Sequence, residues 1–459
     1  MMMNIAMAGA LALSLLTGAQ AVETMAPHRI AADSVRLYDT VTGEPFVPRG
    51  ANYVRLVGAH GGAYHSTFEP GRYAPEDAQA MLNSMKDSGY NTVRVFIDTG
   101  DGYYTNGLAT NPGPDGLNQE YLDNVTDFVS RAAARNIYVL PVLSNWPVSQ
   151  YYKDILDATD NGHYNPNVSG NNQWFMDSGF IAAKKAYLKN FILGLKSRLG
   201  AGISAILAYE TENEAFWDAA QKPFSMSTGS VTGPDGLTYD MSKPAQRQQA
   251  ADASMVVYQN AAADGVHDAD PEAMVTIGFF TNKAVGKSGY GGFPTRCESN
   301  CEGGLKYLYP GRPASIAAWS KTDFLDIHVY PAGVNDSLAT NLATVEVSEF
   351  AKPYVMAEFG AYKPDYNNDI NAASYDMREK QIQSCSIGHG AKGWLFWTYD
   401  TDVVNPDLAS QGDFFSLVDQ HNVIDWQLAP NMRRDPCTSG PSPIGRPKRP
   451  IPTATFTAH

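Results

Sequence analysis

Residues Ile206-Leu-Ala-Tyr-Glu-Thr-Glu-Asn-Glu214 form an apolar, β-prone run that ends abruptly in acidic residues. A second run of the same kind, Tyr354-Val-Met-Ala-Glu-Phe-Gly360, also ends in a glutamate and loop residues. Near-continuous apolar runs are typical of parallel strands that are buried on both faces. A carboxylate at the end of such a strand is costly to bury unless it is paired or has a task. We therefore predict two buried parallel strands with acidic carboxyl ends.

Runs of this kind recur along the chain, and helical patterns lie between them. The eight predicted strands are Phe46–Tyr53, Thr92–Asp98, Ile137–Ser144, Ile206–Glu214, Met274–Thr281, Phe324–Pro331, Tyr354–Ala361 and Gly393–Asp400. The clearest predicted helices are Pro75–Ser88, Gln119–Arg135, Gly179–Leu199, Pro244–Ala263 and Ala372–Ile387. A repeated alternation of strand and helix indicates an α/β fold, either a closed barrel or a doubly wound sheet.

The loops distinguish these two folds. No Gly-x-Gly-x-x-Gly follows the first strand, so a dinucleotide-binding sheet has no support. Connections from helix to strand are short, whereas those from strand to helix are long and rich in Gly, Asn and aromatic residues, as at 99–117, 145–178, 215–242 and 282–313. Long loops at the carboxyl ends of the strands are typical of barrel enzymes. We predict a (β/α)8 TIM barrel with long βα loops at its C-terminal face.

The composition narrows the class of ligand. The 459 residues carry a net charge of −14, with 44% hydrophobic and 11% aromatic residues. Such an acidic chain gains nothing from the counterion release that drives nucleic-acid binding, and anionic membranes should repel it. Abundant Tyr and Trp suit a surface that stacks on flat, neutral ligands. We expect a monomer whose partner is a neutral polysaccharide or oligosaccharide, with no nucleic-acid or membrane partner.

The two ends of the chain and its cysteines indicate secretion. The pattern of residues 1–21 predicts a secretory signal, although no Lys or Arg precedes the apolar run. A hydrolase domain is predicted at 22–437, and a Pro-rich basic tail follows it at 438–459. Four cysteines fit an oxidising compartment, extracellular or periplasmic. Of three pairings, Cys297–Cys301 with Cys385–Cys437 is the economical one. Zinc binding is disfavoured because no Cys-x-x-Cys occurs.

The acidic strand ends suggest a reaction. Cleavage of a glycosidic bond needs one carboxyl group that protonates the leaving oxygen and a second that remains ionised. Since strands of one barrel end at the same rim, Glu214 and Glu358 can face each other across it. We expect Glu214 to retain its proton and Glu358 to remain ionised beside Arg94.

From about Phe46 to Tyr399 the chain resembles glycoside hydrolase family 5, the retaining cellulase and mannanase family. The resemblance implies Glu214 as acid/base and Glu358 as nucleophile. It implies substrate-site roles for Arg94, Asn213, His328, Tyr330 and Trp397, the last as a platform under the sugar. One departure is Leu143-Ser-Asn-Trp146, where many members carry a His. Asn145 and Trp146 are similar to the mannanase branch at that position, so the substrate leans toward mannan.

Other acidic and aromatic residues carry weaker expectations. On a regular strand four, Glu210, Glu212 and Glu214 would project to one side, with Arg94 and His328 as neutralisers. Glu210 is expected to be structural, holding Arg94 or a neighbouring strand. Glu212 is expected to be a satisfied buried acid, or to point outward if the strand bulges; Asp98 and Asp326 are expected in loops or caps. Two or three loop aromatics should stack on sugar, from the set Tyr103, Tyr104, Trp146, Tyr151, Tyr152, Trp174, Phe216 and Trp217.

These observations predict a retaining endo-β-glycosidase that acts on a β-linked mannan or glucan without a metal or organic cofactor. The nine His residues include no His-x-His or His-Glu-x-x-His pattern. Three alternatives stay open. They are a catalytically weak barrel that only binds polysaccharide, a metal-dependent hydrolase that uses the strand-four acids as ligands, and an exo-acting or transglycosylating relative.

Overall fold

The computed structural model describes residues 26–437, except 60–61, 101–105, 148, 161–164, 291–306, 389 and 404–412. The predicted signal and tail, Tyr103, Tyr104 and the pair Cys297 and Cys301 lie outside the described residues. Parallel strands form a barrel and are numbered here in chain order. Barrel strands one to eight are Arg49–Ala59, Thr92–Phe96, Tyr138–Val142, Tyr209–Glu210, the two pieces Val275–Thr276 and Gly278–Phe280, Leu325–His328, Tyr354–Tyr362 and Trp394–Trp397.

Strand five closes the barrel. Around the sheet, strands four, three, two, one, eight, seven and six are neighbours in that order. The first piece of strand five, Val275–Thr276, pairs with strand four, and the second piece, Gly278–Phe280, pairs with strand six. The break at Ile277 therefore lets one strand serve both edges. The predicted (β/α)8 barrel is confirmed.

Helices cover the outside of the barrel. They are α1 Pro75–Ser88, α2 Gln119–Ala133, α3 Gln150–Asp160, α4 Gln173–Met176, α5 Ser178–Leu199, α6 Pro244–Ala269, α7 Pro313–Trp319, α8 Leu338–Ala343, α9 Ile370–Ser384 and α10 Asp419–Leu428. Short 3-10 turns lie at Gly170–Asn172, Gly200–Ala205, Asn282–Val285, Val347–Glu349 and Lys363–Tyr366. The bounds of α1 agree with the prediction because Pro75 begins it and Gly89, at φ 85°, ends it in the left-handed conformation.

Short additional strands lie at both ends of the barrel. At the amino end, Ile30–Ala32, Leu37–Asp39 and Pro45–Phe46 form a small sheet. Its Ile30 and Leu37 pack in one apolar cluster with residues at the starts of the barrel strands, such as Tyr138 and Leu207. At the carboxyl end lie Gly62–His65, Phe216–Asp218 paired with Leu308–Pro310, Ser230–Thr232 paired with Thr238–Asp240, Thr401–Val403 and Phe414–Phe415.

A disulfide joins Cys385, after α9, to Cys437 in the last described segment. This pairing agrees with the prediction, whereas the predicted Cys297–Cys301 bond falls outside the described residues. No described helix combines the length and the apolar character that crossing a bilayer requires.

Candidate active site

The two predicted carboxylates meet at the mouth of the barrel. The Nδ1 atom of His328 lies 3.1 Å from Oε1 of Glu214 and 3.5 Å from Oε2 of Glu358. One carboxylate oxygen from each glutamate and the imidazole nitrogen all lie within 4.8 Å of one another. His328 and Glu358 are direct neighbours in the parallel register of strands six and seven. Glu214 reaches them from beyond the end of strand four, which only strand five separates from strand six.

Arg94 is the buried centre of the site. Its Nε and Nη2 atoms each donate to one oxygen of Glu210 at 2.7 Å, a bidentate pair. Its Nη1 donates to Glu358 and, at 2.9 Å, to Oδ1 of Asn52. Its Nη2 also donates to Oδ1 of Asn213 at 2.7 Å. The guanidinium therefore holds strands one, four and seven in one arrangement, and the prediction that Glu210 holds Arg94 is confirmed.

Two buried polar residues of the site were not predicted there. Asn52 donates from Nδ2 to the carbonyl oxygen of Ala357 at 2.9 Å, which ties strand one to strand seven. Asp326 was predicted in a loop or cap, and this was wrong: it is fully buried within strand six, 3.3 Å from Nε2 of His328 and 3.5 Å from Nε of Arg94. The two-residue spacing of Asp326 and His328 on one strand was the signal that could have identified it.

Strand four departs from the regular strand that we expected. Glu210 is its last ladder residue, and beyond it Gly278 accepts from the backbone N–H of Ala215 while donating to the carbonyl of Glu212. Residues 213 and 214 thus lie together opposite Gly278, where a regular ladder has one residue, which is a β-bulge. Glu214 has φ 49°, in the left-handed region that a residue with a side chain seldom adopts. Such strain clusters at functional sites.

The bulge separates the three strand-four carboxylates, so the predicted single stack is wrong. Glu210 points to Arg94 inside the barrel, and Glu214 points to the mouth. Glu212 is buried and turns toward the helices, where Nζ of Lys184 lies 3.4 Å from its Oε2. Its Oε1 accepts from the backbone N–H of Asn145 at 2.9 Å. Glu212 therefore meets both expectations, because it is a satisfied buried acid and it points outward where the strand bulges; it holds the loop that carries Asn145.

Burial governs the pKa values of this cluster. Burial raises the pKa of Glu358, against the opposing positive charges of His328 and Arg94. Burial likewise raises the pKa of Glu210 to about 8. Burial would lower the pKa of His328, but the charges of Glu358 and Asp326 outweigh it and hold that pKa well above its usual value. Glu358 pairs with Arg94 as predicted, but its pKa lies above the usual value of a glutamate.

A cavity of about 460 Å³ adjoins Glu214. It is lined by His65, Phe96, Ile97, Asp98, Ser144, Asn145, Asn171, Trp174, Phe175, Glu212, Asn213, Glu214, Ala215, Phe216, Phe280, Ala284, Val285, Leu308, His328 and Tyr330. Of the loop aromatics proposed for stacking, Trp174 and Phe216 line it. Tyr152 and Trp217 are instead buried in the core, and Tyr151 packs on Tyr152.

Of the remaining predicted residues, Tyr330 lines the cavity, whereas Trp397 and Trp146 are not among its described lining residues. Oη of Tyr330 donates to Oε2 of Glu358 at 2.6 Å. Trp397, at the end of strand eight, contacts Phe96 edge-on with 6.0 Å between ring centroids. Trp146 packs on Phe180 at 4.7 Å and borders a smaller crevice beside the cavity, so its role in binding substrate stays a prediction.

The chain is similar to known proteins in sequence profile and in fold. The profile of the family described as cellulase (glycosyl hydrolase family 5) matches residues 57–400. No curated protein sequence matches the chain. An exo-β-1,4-mannosidase from Opitutaceae bacterium strain TAV5 is 17% identical with a TM-score of 0.53, covering 87% of this chain and 61% of its own length.

Two further solved structures have similar scores. A family 5 mannosidase from Rhizomucor miehei is 14% identical, with a TM-score of 0.55 and coverage of 89% of this chain and 98% of that one. A family 5 variant from Streptomyces cattleya, solved with Manβ1-4GlcNAc, is 15% identical, with a TM-score of 0.52 and coverage of 87% and 83%. At these identities the likeness is one of fold. The chain spans 61% of the length of the Opitutaceae enzyme.

Proposed function

The chain belongs to glycosyl hydrolase family 5 and is a glycoside hydrolase, and from that premise we propose that it is a secreted, retaining enzyme that cleaves β-mannan internally. One observation carries the proposal: oxygens of Glu214 and Glu358 approach within 4.8 Å around His328. Carboxyl groups about 5–5.5 Å apart fit double displacement, whereas inversion needs about 6.5–9.5 Å to admit a water.

In the first step, Glu358 attacks the anomeric carbon while Glu214 gives its proton to the departing glycosidic oxygen. A covalent glycosyl ester on Glu358 results, and the shortened chain leaves as an alcohol. In the second step, Glu214 takes a proton from water, whose oxygen displaces Glu358 and restores the original configuration. The side chain of Glu214 is 35% exposed and that of Glu358 only 6%, so the residue that must exchange protons with water is the accessible one.

The neighbouring residues hold these groups in place. Arg94 and Tyr330 donate to separate oxygens of Glu358, which fixes the plane of the attacking carboxylate. Because Oδ1 of Asn213 accepts from Arg94, the amide nitrogen of Asn213 is left to donate to a sugar hydroxyl. The strand-four acids do not converge on one point, which disfavours their joint use as metal ligands.

Mannan is proposed as the polymer because Asn145 and Trp146 follow strand three and because the structural neighbours named above include mannosidases. A second candidate, an exo-acting β-mannosidase, is favoured by the names of the Opitutaceae and Rhizomucor enzymes. Purified protein should be incubated with β-1,4-mannan, mannooligosaccharides, mixed-linkage glucan and cellulose. Products of several lengths from mannan, first released as the β anomer, are expected.

Mannose as the only product would favour the exo-acting candidate. Hydrolysis of the glucans but not of mannan would identify a β-glucan as the substrate. An α anomer as the first product would overturn the retaining mechanism. Glu358→Ala serves as the inactive control in each incubation.

The pH dependence should reflect the raised pKa of Glu358. This residue attacks only when ionised, so kcat/KM should fall as the pH drops through its pKa, at an acidic limb above pH 4.5, the ordinary glutamate value. The hydrogen bond from Tyr330 lowers that pKa. Tyr330→Phe should therefore move the limb to higher pH, as measured by kcat/KM across the pH range.

Tyr362→Phe is the matched control, since Tyr362 packs on the same Phe414 ring as Tyr330 but is 37% exposed. It should leave the limb where the wild type has it. An acidic limb at or below pH 4.5, or a limb that Tyr330→Phe does not move, would contradict the assignment of the limb to Glu358.

A further inference from the structure

We propose that His65 binds a hydroxyl group of the sugar in the cavity beside Glu214 and so contributes to substrate specificity. The proposal rests on the proposed function, and it assigns a residue to the same site. His65 belongs to the strand Gly62–His65, which runs antiparallel to barrel strand one and pairs His65 with Leu56. This hairpin carries the imidazole to the cavity wall, next to Phe96 and Asp98.

The ring is held in a defined plane. It stacks on Phe96 with 3.9 Å between centroids and 4° between planes. Phe96 is itself fixed, since it contacts Trp397 edge-on and lies under the guanidinium of Arg94 at 4.8 Å. A side chain with a fixed plane loses little conformational entropy when it binds a ligand. The imidazole is therefore arranged in advance for a directional hydrogen bond.

The polar atoms of the ring are not used within the described protein. Nδ1 of His65 is buried and has no hydrogen-bond partner among the described residues. A buried polar atom without a partner is destabilising, so a ligand that supplies one would be bound favourably. A half-turn about the Cβ–Cγ bond keeps the stacking on Phe96 and exchanges the nitrogen and carbon edges, which allows the polar edge to meet a ligand.

The chemistry of the ring selects a hydroxyl group. Burial and the nearby charge of Arg94 lower the pKa of His65 to about 3, so the imidazole is neutral near neutral pH. A neutral imidazole has one donor and one acceptor, which complement an alcohol. A carboxylate would instead need a cation or several donors. The residue thus suits a neutral sugar such as mannose and not a uronic acid.

The histidines of the cavity differ in their contacts. The segment after strand three has Ser144 and Asn145 where a histidine was expected from the resemblance, and Oγ of Ser144 accepts from the backbone N–H of Asn213. Two histidines, His65 and His328, are among the cavity-lining residues. Since carboxylate oxygens lie 3.1 Å and 3.3 Å from the two ring nitrogens of His328, we assign the contact with substrate to His65.

The test compares His65→Phe, which keeps the stacked ring and removes both nitrogens, with wild type on a series of monodeoxy β-mannosides. His65→Phe should lower kcat/KM about tenfold on the parent sugar through KM, since one neutral hydrogen bond is lost. On the one deoxy analogue that lacks the hydroxyl bound by His65, wild type should show a kcat/KM about tenfold lower than on the parent sugar. His65→Phe should show the same kcat/KM on that analogue as on the parent sugar. His65→Gln, which restores a donor and an acceptor, should recover part of the loss.

Tyr375→Phe is the control, because an exposed ring of α9 loses its polar atom in the same way. It should match wild type on every analogue. An unchanged kcat/KM for His65→Phe, or equal losses on all deoxy analogues, would overturn the proposal. If wild type proves to hydrolyse a different β-glycoside, the mannan assignment fails and the deoxy series is made in that sugar, so the two failures remain distinguishable.

Discussion

Glu358→Ala should lower kcat on β-mannosides by at least about 10⁴-fold, because the covalent intermediate can no longer form. The substitution leaves space beside Arg94 for a small anion. Azide should enter that space and attack the anomeric carbon from the face that Glu358 normally uses. Since no second displacement follows, the product should be the α-azide, with inverted configuration. Turnover and product configuration are measured by chromatography and proton NMR.

Rescue of Glu358→Ala by azide would identify Glu358 as the nucleophile, whereas loss of activity alone shows only that the residue is needed. Glu349→Ala, at an exposed position, removes the same group elsewhere and should keep wild-type kinetics. Circular dichroism of Glu358→Ala should match wild type. A rate within about tenfold of wild type, or a β-configured azide product, would show that Glu358 is not the nucleophile.

Much of the fold followed from local patterns. The apolar runs predict barrel strands because parallel strands are buried on both faces, and the long loops predict the functional end of the barrel. The helix Pro75–Ser88 was predicted to the residue because proline and glycine mark both of its ends. These signals need no knowledge of which strands are neighbours.

The errors at the site came from effects that are not local. A period of two predicted one side for Glu210, Glu212 and Glu214, but a bulge at strand four sends the middle residue toward Lys184. The bulge depends on the pairing with strand five, where Gly278 leaves room that a side chain would take: a Cβ atom there would lie 2.6 Å from Oε1 of Glu210. That constraint exists only once the barrel is closed.

The same reason explains the residues that the sequence did not reveal. Asn52 matters because it meets Arg94 from another strand, and nothing in its own segment marks it; Asp326 was marked only by its two-residue spacing from His328 on strand six. His65 reaches the cavity through a hairpin whose residues show no catalytic pattern. Residues that carry a motif could be predicted, whereas residues that complete a buried network could not.

Glu214→Ala should have an effect that depends on the leaving group, which separates it from every substitution that only weakens binding. Hydrolysis of mannooligosaccharides should fall by about 10³–10⁴-fold, since a sugar alkoxide leaves poorly without a proton. A dinitrophenyl β-mannoside needs no such proton, so its first step should remain fast. The second step then limits turnover, because no base activates water. A burst of dinitrophenol followed by a slow phase with a lowered KM is expected.

Azide should also restore part of the activity of Glu214→Ala. It requires no general base, so it should release the glycosyl group from Glu358 in Glu214→Ala and speed up the slow phase. It attacks from the face that water normally uses, and two successive inversions give the β-azide, the opposite of the product expected from Glu358→Ala. Equal losses on mannooligosaccharides and on the dinitrophenyl substrate would mean that Glu214 does not donate the proton. The two variants together thus assign each carboxylate by the configuration of its product, a property that loss of stability or of binding cannot produce.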